Sequence, residues 1–219
     1  MNKNEISKSI FYKIILLGNS GIGKTSFFDK LSTGRFYETN IFRRGLNHRT
    51  FYVDIINDKE EKKSINVHLF DTAGQERFRS IPANYYKGSQ GALLIYDISD
   101  RSTFDSVEIW VNSLNETLND TIDTKCVIIL IGNKSDLIDS DDKKREVTEE
   151  EAKIVCEKFN LIWGGEISVK NIEYEEIRKL FETYVKQIYD IIGEIKVQKQ
   201  KVTKIENYRQ RRIVPKKIC

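Results

Sequence analysis

Along the chain, apolar and polar residues fall into blocks that alternate between the strand and the helix period. Ile10-Phe11-Tyr12-Lys13-Ile14-Ile15-Leu16-Leu17 is nearly continuous in apolar character, as a parallel strand covered on both faces requires. Ser26 to Leu31 sets Phe27, Phe28 and Leu31 at helical spacing and predicts a first helix ending near Gly34. Residues 35–49 are polar and unpatterned and read as a loop. Phe51 to Ile56 and Ile65 to Phe70 are β-rich runs, joined by the charged tip Asn57 to Lys63 into a predicted hairpin. Gly91 to Ile98, Val127 to Ile131 and Leu161 to Ile167 supply further strands. Between them Ser102 to Leu118 reads as one helix with Phe104, Val107, Trp110, Val111, Leu114 and Leu118 inward, so Trp110 is expected in the core. Thr148 with Glu151 forms a capping box for a helix through Val155 and Phe159, and Ile172 to about Ile192 closes the chain as an amphipathic helix.

At 219 residues the chain suits one domain with an appendage. The net charge of +3 hides an asymmetry: residues 193–219 hold nine Lys or Arg against Glu194 and Glu206. Residues 1–192 are therefore expected to fold as the domain and 193–219 to be a basic tail. The three cysteines include no close-spaced pair, which points away from a disulfide framework or a zinc site and toward a reducing compartment. The polar start Met1-Asn2-Lys3-Asn4-Glu5 lacks the apolar segment of a signal peptide, and no run reaches the ~20 apolar residues of a spanning helix.

The chemistry concentrates at strand ends. Gly18-Asn19-Ser20-Gly21-Ile22-Gly23-Lys24-Thr25 is a phosphate-binding loop between the first strand and the first helix. Glycines let the backbone turn tightly enough for the N–H groups of Ser20 through Ser26 to face phosphate oxygens. Lys24 brings a compact positive charge to the β and γ phosphates, and the Thr25 hydroxyl is suited to ligate a bridging Mg2+. The helix adds the positive end of its dipole. After the second hairpin strand comes Asp71-Thr72-Ala73-Gly74-Gln75. A carboxylate there suits a water-mediated Mg2+ contact, Gly74 lets an N–H approach the terminal phosphate, and Gln75 is placed to orient an attacking water. Read alone, the stretch also fits a polar turn entering a helix. Asn133-Lys134-Ser135-Asp136 ends another buried strand, and its Asp136 carboxylate is built to accept from guanine N1–H and the 2-amine, a pattern adenine lacks.

The three boxes, in this order over residues 10–190, resemble those of Ras-like small GTPases. Arg77-Phe78-Arg79-Ser80-Ile81, Tyr85-Tyr86-Lys87-Gly88 and Leu94-Ile95-Tyr96-Asp97-Ile98-Ser99 resemble the Rab family in particular. Glu166-Ile167-Ser168-Val169-Lys170 is similar to its last box, which implies Ser168, Val169 and Lys170 beside the guanine. The resemblance implies an α/β fold, a doubly wound, mostly parallel six-stranded sheet with one antiparallel edge strand. It also implies GTP and GDP binding with Mg2+, an exchange factor, an activating protein, and traffic effectors that read two switch loops. A monomer at the cytoplasmic face of a membrane is expected, with no nucleic-acid partner.

The departures are specific. The family carries a switch threonine nineteen residues after the loop lysine, and here that place is Arg43, with Gly45 keeping the register. Thr39 lies four positions early and Thr50 seven late. Three consequences compete: loss of a metal ligand and of an ordered first switch, a charge from Arg43 on the γ phosphate, or a loop open in both states. The first is favoured and implies slow hydrolysis; in a rival reading the nucleotide is a structural cofactor of a scaffold that no longer cycles. The family's effector-facing Phe and Trp correspond to His48 and Phe70, and His48 and His68 read as ordinary polar residues rather than pH sensors. The tail ends in a single Cys219 where Rab chains usually end in a prenylated pair. One prenyl chain with a polybasic stretch makes a two-signal anchor to an anionic leaflet, whereas without the lipid the segment is a solvated basic tail.

Overall fold

The computed structural model describes residues 10–37, 47–72, 83–119, 125–140 and 142–193. Its elements run β1 (Ile10–Leu17), α1 (Lys24–Thr33), β2 (Asn47–Ile56), β3 (Lys62–Asp71), α2 (Ala83–Tyr86), β4 (Gly91–Asp97), α3 (Arg101–Asp105), α4 (Val107–Asn119), β5 (Val127–Asn133), α5 (Asp136–Asp139), α6 (Glu149–Phe159), β6 (Ile162–Ile167) and α7 (Tyr174–Ile192). The strands form one six-stranded sheet in the order β2-β3-β1-β4-β5-β6. Only the β2–β3 pair is antiparallel, so β2 is the antiparallel edge expected for a doubly wound domain. From β1 the sheet grows outward in both directions, which opens a crevice beyond the carboxyl ends of the strands.

The strand period divides the core in two. Tyr12, Ile14 and Leu16 of β1 point to one face and pack with Phe27, Phe28 and Leu31 of α1 and Ile177, Phe181 and Val185 of α7. Ile15 and Leu17 point to the other, where Val107, Trp110, Val111 and Leu114 of α4 and Ala152 and Cys156 of α6 cover them. Every residue of β4 and β5 is buried, which explains why these strands read as unbroken apolar runs. No helix of the described residues is long and apolar enough to cross a membrane.

Two boundaries differ from the pattern. Residues 47–50, read as loop, extend β2 and pair with Asp71, Phe70, Leu69 and His68 of β3. On an edge strand the ladder needs only backbone groups, and His48 and Arg49 are exposed, so no apolar periodicity marks the segment. The helix over Ser102 to Leu118 is interrupted at Ser106, whose hydroxyl donates to the Ser102 carbonyl at 2.8 Å, a back-bond that bends helices.

The capping box at α6 is present in full, Glu151 N–H to Thr148 Oγ1 at 3.2 Å and Thr148 N–H to Glu151 Oε2 at 2.9 Å. The Arg101 guanidinium, joined by the Thr148 N–H, holds the Glu151 carboxyl down to about 2 from an ordinary 4.5. A depressed carboxyl stabilises the fold above its unfolded value and loses that contribution as pH falls toward its folded one. Glu151→Gln therefore lowers the thermal midpoint near neutral pH, and the gap to the parent narrows between pH 4.5 and about 2. Melting curves across that range test this, and a gap independent of pH would refute the assignment.

Candidate functional site

The loop between β1 and α1 is shaped by two glycines. Gly18 has φ +124°, and a Cβ there would lie 2.2 Å from the Ile95 carbonyl oxygen. Gly23 has φ +101°, and its Cβ would meet Asn133 Nδ2 at 2.4 Å, so only hydrogen at that Cα lets the loop lie against β5. Asn133, 2% exposed, exploits this closeness. Its Nδ2 donates to the Ile22 carbonyl at 2.7 Å and its Oδ1 accepts from the Val169 N–H at 3.1 Å. One side chain thus ties the glycine-rich loop to the segment after β6.

Charged groups occupy the mouth of the crevice. Lys24, 3% exposed, donates through Nζ to the carbonyls of Gly18 at 2.9 Å and Asn19 at 2.6 Å. Thr25 Oγ1 donates to Asp71 Oδ2 at 2.8 Å, bringing together the two residues expected to share a metal. A hydroxyl and a carboxylate are hard oxygen donors of the kind Mg2+ prefers. No cluster of three or more His, Cys, Asp or Glu suited to a metal occurs among the described residues.

At the far end Asp136 Oδ1 accepts from Ser168 Oγ at 2.6 Å, and the Ser168 hydroxyl also accepts from the Asn171 N–H at 3.1 Å. Lys134 has a left-handed backbone, φ +72°, and its Nζ lies 2.7 Å from Asp97 Oδ2. Burial pushes the Asp97 carboxyl up, but the Lys134 ammonium and the Ser99 hydrogen bonds outweigh it and hold the carboxyl below its usual range. Gly21, Gly23 and Ser26 on one side and Lys134, Asp136, Val169 and Lys170 on the other line a cavity of about 270 Å³.

The family model described as "Ras family" matches residues 13–190. The chain belongs to the Ras family. Ras-related protein RABA5a of Arabidopsis thaliana is 36% identical over 203 residues, spanning 93% of this chain and 85% of its own length. Ras-related protein Rab11C of Lotus japonicus is 34% identical over 192 residues, 88% and 82% of the two chains. Ras-related protein RGP2 of Oryza sativa subsp. japonica is 34% identical over 185 residues, 84% and 78%. Family and relatives together identify a Rab-type small GTPase of the Ras superfamily.

Within that frame, Ser20 to Ser26, Asp71, Asn133, Lys134, Asp136 and Ser168 to Lys170 all lie at the carboxyl ends of strands around one crevice. Gly74, Gln75, Arg43, Thr39, Gly45, the stretch Arg77 to Ile81, and the tail from residue 194 to Cys219 lie outside the described residues. Sequence reasoning missed three contributors. Phe36 and Tyr37 line the cavity, and their signal was two adjacent aromatics just past the helix stop at Gly34. Asp97, the partner of Lys134, was named only within the Rab-like stretch Leu94 to Ser99, and its signal was a carboxylate at the end of a buried strand. His48 and Phe70, the two altered aromatic positions, form a cross-strand pair with rings stacked 5.4 Å apart, and His68 lies 6.4 Å from His48. Burial, with a smaller contribution from His48, pushes His68 below its ordinary value.

Proposed function

We propose that this Rab-type small GTPase is a guanine-nucleotide switch that binds GTP and GDP with Mg2+, hydrolyses GTP slowly and regulates membrane traffic. The observation that carries the reading is the pair of Asn133 hydrogen bonds, which hold the phosphate loop and the guanine box as the two ends of one cavity. The N–H groups of Ser20 through Ser26 and the Lys24 ammonium take the phosphates. Asp136 reads the guanine edge, with Lys134 and the Ser168-Val169-Lys170 segment against the ring. Thr25 would hold Mg2+ through its hydroxyl and Asp71 through a water molecule, and the ion would supply positive charge beside the β and γ phosphates. Gln75 orients the attacking water, and Gly74 supplies an N–H to the γ phosphate.

Exchange factors, activating proteins and effectors are expected to read the switch segments. A prenylated Cys219 and the basic tail would hold the protein reversibly on the cytoplasmic face of an anionic membrane. The second reading, a nucleotide-bound scaffold with impaired cycling, rests on Arg43 standing where the family has its switch threonine. Arg43→Thr is expected to raise the single-turnover GTP hydrolysis rate and to give Mg2+-dependent protease protection of residues 38–46 in the GTP state. If neither changes, loss of the threonine is not what limits this protein.

A further inference from the structure

Asn19, the second residue of the phosphate loop, directs its side chain away from the loop. Side-chain amides in turns commonly bond the neighbouring backbone. Asn19 instead engages two residues on the bent helix that follows β4. The Trp110 indole N–H donates to Asn19 Oδ1 at 2.8 Å, and Asn19 Nδ2 donates to Ser106 Oγ at 3.0 Å, contacts 91 and 87 residues apart in sequence. The polarity is fixed by the partners. An indole N–H only donates, so it must meet the amide oxygen. The Ser106 proton is committed to the Ser102 carbonyl at 2.8 Å, so its oxygen is left to accept from the amide nitrogen. The hydroxyl that bends the helix therefore also faces the loop. Trp110 is rigidly seated, 9% exposed among the apolar residues of the second core cluster. The backbone carbonyl of Asn19 accepts from Lys24 Nζ at 2.6 Å.

We propose that Trp110, Ser106 and Asn19 form a clamp that positions Lys24, so that the helix after β4 sets how well the loop holds the β phosphate. The inference rests on the nucleotide-site reading above. These are positioning residues: none touches the nucleotide, and each acts through the Asn19 carbonyl. A side chain held at both of its polar ends fixes the direction of the adjoining carbonyl, and that carbonyl fixes the ammonium. Movement of the helix would then be felt at the phosphates without passing through either switch loop.

The test uses the full chain, with Trp110→Phe, Asn19→Ala and the double variant, and competition binding of GDP and of GMP, which lacks the phosphate that Lys24 meets. Phenylalanine keeps most of the buried ring and removes the donor, and melting curves check that each variant folds. Each single change is expected to weaken GDP binding roughly tenfold, as loss of one partly buried hydrogen bond implies. The double variant is expected to be no weaker than the worse single one, because both remove the same link. GMP binding is expected to change less than about twofold, since its lone phosphate lies beyond the reach of the ammonium. Unchanged GDP binding, additive losses in the double variant, or equal losses for GMP and GDP would overturn the clamp. Failure of the unaltered chain to bind GDP at all would overturn the nucleotide-site reading instead, and the clamp with it.

Discussion

Asp136→Asn is expected to weaken GDP binding by roughly a thousandfold or more and to turn the site toward xanthosine diphosphate. A carboxylate only accepts, and guanine offers it two donors, N1–H and the 2-amine. An amide at the same place turns one acceptor into a donor that meets the 2-amine head on, and a polar site with mismatched partners rejects its ligand far more strongly than an apolar one. Xanthine replaces the amine by a carbonyl, which accepts from the amide while its N1–H still donates to Oδ1. The Ser168 hydroxyl, 2.6 Å from Asp136 Oδ1, holds the side chain in the required orientation. Parallel titrations with the two diphosphates measure the exchange. GDP affinity within about threefold of the parent would mean that Asp136 does not read the base.

Lys24→Ala is expected to weaken GDP binding by a hundredfold or more and GTP binding further, since the ammonium meets the γ as well as the β phosphate. Removing one partner of a buried, hydrogen-bonded charge pair costs about 2–5 kcal/mol, which spans that range. The ammonium is 3% exposed and already directed by the Gly18 and Asn19 carbonyls, so little ordering remains to oppose its contact with phosphate. Lys24→Arg is expected to fail similarly, because a planar guanidinium does not fit where a compact charge sits between two carbonyls. Calorimetric titration of both nucleotides checks the order, and equal losses for the two would place the charge at the β phosphate alone.

What could be read from the sequence follows from where each signal originates. β4 and β5 were legible because strands buried on both faces carry long apolar runs, β1 because its run is broken only at Lys13, and the Thr148–Glu151 box because its spacing is local. The glycine-rich loop was legible because a turn that packs this closely on β4 and β5 needs glycine at Gly18 and Gly23, within one eight-residue pattern. The start of β2 was not, because an edge ladder through Asn47 to Thr50 is made of backbone alone. The Lys134–Asp97 ion pair and the reach of Trp110 and Ser106 to Asn19 depend on residues far apart in the chain, so no local period records them. The break at Ser106 comes from a hydroxyl back-bond to Ser102 that apolar spacing does not register. Trp110 does lie in the core as its spacing predicts, yet its one polar atom faces the phosphate loop. Periodicity reports which face of a helix is buried and is silent on what a single polar atom on that face meets.

The measurement that bears most directly on a guanine-nucleotide switch is the affinity of the full chain for GDP and for GTP, each with Mg2+ and with Mg2+ chelated, against ATP as competitor. The account predicts tight binding of both guanine nucleotides, no displacement by ATP, and a substantial gain for GTP when Mg2+ is present, through Thr25 and Asp71. Displacement by ATP as effective as by GTP would contradict the base reading, and a GTP affinity indifferent to Mg2+ would contradict the switch.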